Sequence, residues 1–382
     1  AAEALGKVGS EKAIPDLIIS LFAGINDPSL ASIYRVSRKA LAQIGSPAAK
    51  PLAEALNGTY KPLNEYLQIK QIPNWKWQWG PRLVEVLGDI RHEAGASPIV
   101  EKVLARDSYG IWAGLSEEQR DENNASFDAL RKDWNKEVLR GFLMSALSLG
   151  RIGSDNGVEK LAAAIPNQHR RDWSQRTNAA LALALIGTDK AVEALIKAFE
   201  EEEEATSRAN LLGFVAMAAG PKHMKAAWKE VDDLKKRRAK GRKITLAQKY
   251  FGMKLEEVGA GDRIRAHVKV VQDCGEQMGC YLNKLTNSPD IFSKEKAAIV
   301  LWRGDRSSDT FKVFFDAFKK MHPMKERDQR LFLIAGMGRI GTQQDAILVE
   351  QHLEQLQSNK RVAPQWLLEL GSLHAYLSQL SS

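Results

Sequence analysis

Apolar positions along this chain recur at spacings of three and four, stop at a glycine, and then resume in the same rhythm. The stretch RTNAALALALIGTDKAVEALIKAF, residues 176–199, shows the unit most fully. Ala179, Leu183 and Ile186 fall on one helical stripe, and apolar neighbours widen it. Ala180, Ala182 and Ala184 are small enough to let another helix come close. Gly187 ends the run at a position that favours a left-handed backbone, and Thr188 or Asp189 is placed to cap the next helix. The second run, KAVEALIKAF, is again amphipathic with helical spacing.

The same phrase returns as ALGKVGSEKAIPDLI (4–18), ALAQIGSPAAKPLAEAL (40–56), SLGRIGSDNGVEKLAAAI (148–165), AMAAGPKHMKAAWKEV (216–231) and AGMGRIGTQQDAILVEQHL (335–353). A degenerate copy spans 85–104. Gly9 precedes Gly45 by 36 residues, Gly153 precedes Gly187 by 34, and Gly187 precedes Gly220 by 33. Repetition at this period signals a stacked array. Two helices joined by a tight turn cannot bury both their apolar faces alone, whereas stacked copies bury them jointly. The predicted fold is all-α: an α-solenoid, a superhelix of antiparallel helix pairs.

The pattern of Arg, apolar run, Gly turn and second apolar run resembles the HEAT-repeat family, in its short subclass of PBS-lyase HEAT-like repeats. An arginine stands 10 to 12 residues before several of the glycines: Arg35, Arg176, Arg208 and Arg330 before Gly45, Gly187, Gly220 and Gly341. The unit at Gly153 lacks one. The shared residues are those of packing and turns, so the resemblance implies a fold and, for the arginines, helix caps or inter-repeat ion pairs. Phycobilin lyases and alkylation-type DNA glycosylases also use HEAT-like repeats. The resemblance therefore leaves an enzyme acting on a tetrapyrrole or on DNA as the alternative to a non-catalytic scaffold.

Interruptions divide the chain into HEAT-like repeats at 1–57, a degenerate repeat with Trp-rich and polar insertions at 58–135, HEAT-like repeats at 136–228, a basic insertion at 229–262, and C-terminal HEAT-like repeats at 263–382. Insertions in arrays map to loops and often carry function. Trp75, Trp77 and Trp79 alternate with polar residues, and an extended segment would turn all three rings to one face. With Lys76 and Arg82 nearby, they suit stacking on bases or sugars or gripping a proline-rich peptide, or they fold over the end of the helix stack. The run Lys235–Lys243 holds seven basic residues in nine, among them Lys235, Lys236, Arg237 and Arg238. It reads as a solvated extension or as a contact to an acidic partner or nucleic acid. The candidate partner-binding set is therefore Trp75, Trp77, Trp79, Arg82, Lys235, Lys236, Arg237 and Arg238.

The net charge of +8 agrees with an acidic partner without choosing one. No apolar run is long enough to span a membrane. The first residues lack a methionine and a signal-like segment, as if the start were missing. The two cysteines, Cys274 and Cys280, come within disulfide reach if Gly275 turns the chain, or they are reduced core thiols. An oxidised pair favours the periplasm or secretion; a reduced one, the cytoplasm. GMGRIG at 336–341 matches a dinucleotide fingerprint literally but sits at a repeat turn. The histidines form no ligand spacing, and no catalytic motif, metal site or cofactor is predicted. The expected role is a bacterial, non-catalytic scaffold or adaptor that binds a protein partner in its groove and inserted loops.

Overall fold

The structure, a computed structural model, describes residues 2–23, 31–70, 76–104, 143–165, 173–203, 205–223, 260–304, 308–321, 327–357 and 364–380. Among these residues every regular element is helical. They fall into two compact units, 1–157 and 158–382.

In the first unit, α1 (Ala2–Val8), α3 (Ala31–Ile44) and α6 (Lys76–Ile90) lie side by side as one layer. A helical segment at 143–152 follows α6, and Ser148 meets α6 at Gly88. α2 (Ile14–Ser20), α4 (Ser46–Asn57) and α7 (Ala96–Leu104) supply the second layer. α5 (Lys61–Ile69) is an extra helix packed on α2. It lies inside the expected insertion, where Pro62 occupies its first turn, a position that tolerates proline because the missing N–H has no partner there anyway.

The second unit repeats the scheme. α9 (Trp173–Ile186), α11 (Ala205–Ala218), α12 (Ala260–Cys274), α14 (Ile291–Gly304), α16 (Arg327–Ile340) and α18 (Pro364–Leu377) form the first layer, each against the next. α8 (Val158–Ala163), α10 (Asp189–Glu200), α13 (Met278–Asn287), α15 (Ser308–Lys320) and α17 (Asp345–Gln357) form the second. Each unit is thus a solenoid stack of antiparallel pairs.

The first layer is more deeply enclosed than a one-sided stripe implies. Every residue from Ala179 to Ile186 in α9 is buried, and α11 is buried from Leu211 through Ala219 apart from Gly213. Alternating alanine and leucine suit this: the alanines admit neighbouring backbones while the leucines fill the remaining space. Between α9 and α10 the turn works as the residues suggest. Gly187 has φ +61°, and the Thr188 hydroxyl accepts the Ala191 N–H at 3.2 Å, so Thr188 is the cap. Gly341 differs, because its backbone is not left-handed. There a Cβ would stand 2.7 Å from Leu377 of α18, so the pressure for glycine is close packing. In the degenerate copy Arg91 occupies the turn with φ 59°, a conformation that costs a residue other than glycine about 1 kcal/mol.

Gly187→Ala should lower stability by about 3 kcal/mol, since the new methyl meets the Arg303 guanidinium and the backbone is left-handed. Gly220→Ala, with open space and no positive φ, should stay within about 0.5 kcal/mol. Urea unfolding of the two variants reads the difference, and equal losses would contradict the account.

Candidate functional site

A helix leaves its last four carbonyls without intrahelical partners, and its C-terminal end carries partial negative charge. In the second unit, several such ends are closed by cations from other repeats. Lys296 of α14 is wholly buried. Its Nζ donates to the carbonyls of Ala216 (2.7 Å), Met217 (2.9 Å) and Ala219 (2.6 Å) at the end of α11. Burial, and then the nearby Arg303, push this lysine well below its ordinary range. Three carbonyl acceptors nevertheless match three ammonium donors; a neutral amine would turn its lone pair on one of them. The geometry is that of the charged form.

One helical stripe further, Arg303 donates to the carbonyls of Ala218 in α11 and Ala184 in α9. Arg339, at the end of α16, donates to Ile186 at 3.2 Å and lies over the Trp302 ring. The C-terminal ends of α9 and α11 are therefore closed by two guanidiniums and an ammonium that α14 and α16 supply. Burial, with Arg339 adding to it, lowers Arg303 to about 9, which still leaves it protonated at neutral pH.

The arginines that precede the glycines do a related job. Near the start of their helices, Arg176, Arg208 and Arg330 reach back to the end of the preceding second-layer helix. Arg176 donates to Ile165 (2.5 Å), Ser207 and Glu202. Arg208 donates to the carbonyls of Phe199, Glu200 and Glu202 (3.0–3.1 Å) and lies over the Phe199 ring. Arg330 donates to Met321 (3.3 Å) between the rings of Phe318 and Trp366, 4.0 and 4.2 Å from their centroids.

Two buried networks complete the charged interior. In the first unit, Arg38 binds Asp89 (2.6 and 3.2 Å) and Glu85 (3.1 Å), Arg151 binds Asp89 (2.9 Å), and the Tyr34 hydroxyl donates to Glu85 (2.5 Å). Burial works against the Asp89 charge, but Arg38 and then Arg151 keep its carboxyl below the usual range. In the second unit, Glu295 accepts from Arg263 and lies 3.3 Å from His267 Nε2. Burial opposes the Glu295 charge; Arg263, followed by His267, overcomes it and holds the carboxyl at about 2. Burial brings His267 down to about 4. Its Nδ1 has no partner, so the neutral ring that donates from Nε2 is the form that fits.

Of the candidate binding residues, the described part of the structure gives the side-chain setting of Arg82 alone. The backbone at Trp77 and Trp79 belongs to α6, so the extended geometry that would align three rings does not hold there. Trp75, Lys235, Lys236, Arg237 and Arg238 lie outside the described residues. Arg82 is turned inward: it donates to the Leu21 carbonyl and lies 4.8 Å from the Tyr34 ring centroid. Cys274 and Cys280 form a disulfide, with Cα atoms 5.3 Å apart across the Gly275 turn. The sequence reading missed Lys296 and Arg303. Their signal was a seven-residue spacing that puts both cations on one stripe of an otherwise apolar helix.

Lys296→Met should destabilise the chain by about 3 kcal/mol in urea, because three carbonyls lose their donor inside the core. His267 gives a pH signature. Its folded value of about 4 lies below the unfolded 6.5, so its contribution is complete above pH 6.5 and lost as pH falls toward 4. Glu295 extends the loss from 4.5 toward 2. His267→Gln should flatten the stability profile between pH 6.5 and 4 by about 3 kcal/mol, and a profile identical to the parent's would contradict the assignment.

Among the described residues, no helix is long and apolar enough to cross a membrane, and no cluster of three or more His, Cys, Asp or Glu side chains forms a metal site. Comparison with curated proteins finds no match. Residues 124–212 match HEAT repeats. That match covers the GRIGS and LIGTD turns and the helices from α8 into the first half of α11, and the paired layers of both units are consistent with a HEAT-repeat fold.

Proposed function

We propose that the chain is a non-catalytic scaffold or adaptor that displays a partner-binding surface on a preorganised helical stack. HEAT repeats in general form helical scaffolds for protein interaction. The observation that carries the reading is how the interior charges are used. Lys296, Arg303, Arg38 and Glu295 stand withdrawn from water and are engaged with backbone carbonyls or with one another. That use stiffens the frame. A stiff frame lowers the ordering cost of binding, which is what a docking platform requires.

On this reading Trp75, Trp77 and Trp79 supply the anchors, since tryptophan dominates binding hot spots. Arg82 contributes by tying α6 to Leu21 and Tyr34. Lys235, Lys236, Arg237 and Arg238 add attraction to an acidic partner. The Cys274–Cys280 bridge supports an oxidising compartment such as a bacterial periplasm.

The full chain, used as bait in extracts of its native source, should retain a protein that the triple variant Trp75→Ala, Trp77→Ala, Trp79→Ala loses by tenfold or more, a loss of about 1.4 kcal/mol. A partner retained equally by both would remove the tryptophans from the site. Salt-sensitive binding to duplex DNA, or release of a base from alkylated DNA, would replace the adaptor with the glycosylase-like alternative.

A further inference from the structure

The cysteine pair carries an inference about its chemistry that does not depend on the partner. Its two sulfurs sit in opposite electrostatic settings. Cys274 is the last residue of α12 and only 2% exposed. Its neighbour Asp273 is a carboxylate held by Lys284 at 2.9 Å and Lys269 at 3.6 Å. A thiolate there would be buried, at the negative end of a helix and next to another anion, and all three factors disfavour it. Cys280 is partly exposed and is the third residue of the ten-residue α13. A thiolate there would meet the positive end of a helix, with Lys284 one turn further along the same face.

We infer that Cys274–Cys280 is a one-sided bridge: it exchanges only through Cys280, and it opens slowly. An incoming small-molecule thiolate reaches the Cys280 sulfur, because Cys274 is shielded. The new S–S bond joins that thiol to Cys280. The Cys274–Cys280 bond breaks, its electron pair leaves on the Cys274 sulfur, and that sulfur must take a proton from water. A second thiol then releases Cys280, so two thiols are oxidised to one disulfide as the protein cystine is reduced. The first step is slow because the departing thiolate is the disfavoured one. In the closing direction Cys280, the favoured thiolate, attacks a small-molecule disulfide and releases one thiol; Cys274 then gives up its proton to water and attacks the Cys280 sulfur, and the second small-molecule thiolate leaves.

The turn does not rely on the bridge alone. The Tyr281 hydroxyl donates to the Gly275 carbonyl at 2.7 Å, and Lys284 spans from α13 back to Asp273. The two sulfurs therefore stay apposed after reduction, which favours reclosure. The pair reads as a permanent staple and not as a switch.

The test uses the intact chain and reduced glutathione. Reduction of the folded protein should be at least about tenfold slower than in urea, and mass spectrometry of the acid-quenched intermediate should place glutathione on Cys280. Independently, Cys274→Ser should leave a Cys280 that iodoacetamide modifies faster, and from a lower pH, than it modifies Cys274 in Cys280→Ser. Glutathione on Cys274, or equal reduction rates in folded and unfolded chain, would overturn the inference. If a variant fails to fold, the glutathione mapping on the unaltered chain decides alone.

Discussion

The carbonyls that a helix leaves open at its C-terminal end govern how these repeats can be stacked. One free helix end is served by water. In the second unit the ends of α9 and α11 lie against buried side chains of α14 and α16, where their carbonyls need donors from the protein and their partial negative charges need opposing charge. Lys296, Arg303 and Arg339 resolve both problems at once, since each supplies donors and opposing charge. The contacts join α14 to α11, α14 to α9 and α16 to α9, which are not all neighbours in chain order. A solenoid held only by nearest-neighbour packing adds stability repeat by repeat. These cross-links add coupling beyond nearest neighbours, because displacing Arg303 leaves carbonyls open in both α9 and α11.

The first unit meets its version of the constraint with side chains. Arg38, Asp89, Arg151, Glu85 and Tyr34 link α3, α6 and the helical segment at 143–152 through one continuous network. A buried ion pair is weak evidence for stability, because its desolvation cost rivals its attraction. Its stronger effect is on register. Asp89 accepts from two arginines of different helices, so sliding any one helix by a turn would strand a charge. Arg82, clamped between Leu21 and Tyr34, extends that control to the start of α6.

Much of the fold was legible in residue order, because its cause is local. The glycine at 187, the threonine cap beside it and the amphipathic run after it act within a few residues of one another. The arginines before the glycines were legible as caps for the same reason: Arg176, Arg208 and Arg330 each reach 6–11 residues back for a carbonyl. What was not legible acts over long separations. Lys296 and its three carbonyls are 77–80 residues apart, and Arg339 and Ile186 are 153 apart. No periodicity encodes such a pairing. The extended backbone expected for the tryptophans is a different case. Alternation at 74–79 mimics a strand, but Trp77 and Trp79 belong to α6, whose helical backbone does not keep a period of two.

The same physics separates frame from surface. A cation that closes a helix end is desolvated and fixed, so it is poorly suited to meet a partner that comes and goes. On the proposed reading, recognition is then a matter for side chains that the frame does not consume. Lys222 with Asp189, and Lys190 with Glu159, are ion pairs of that exposed kind, and each contributes little to the fold. Repeat proteins that bind through inserted segments gain from this division. On the proposed reading, Lys296 and Arg303 stiffen the stack from within and leave its exposed side chains open to variation.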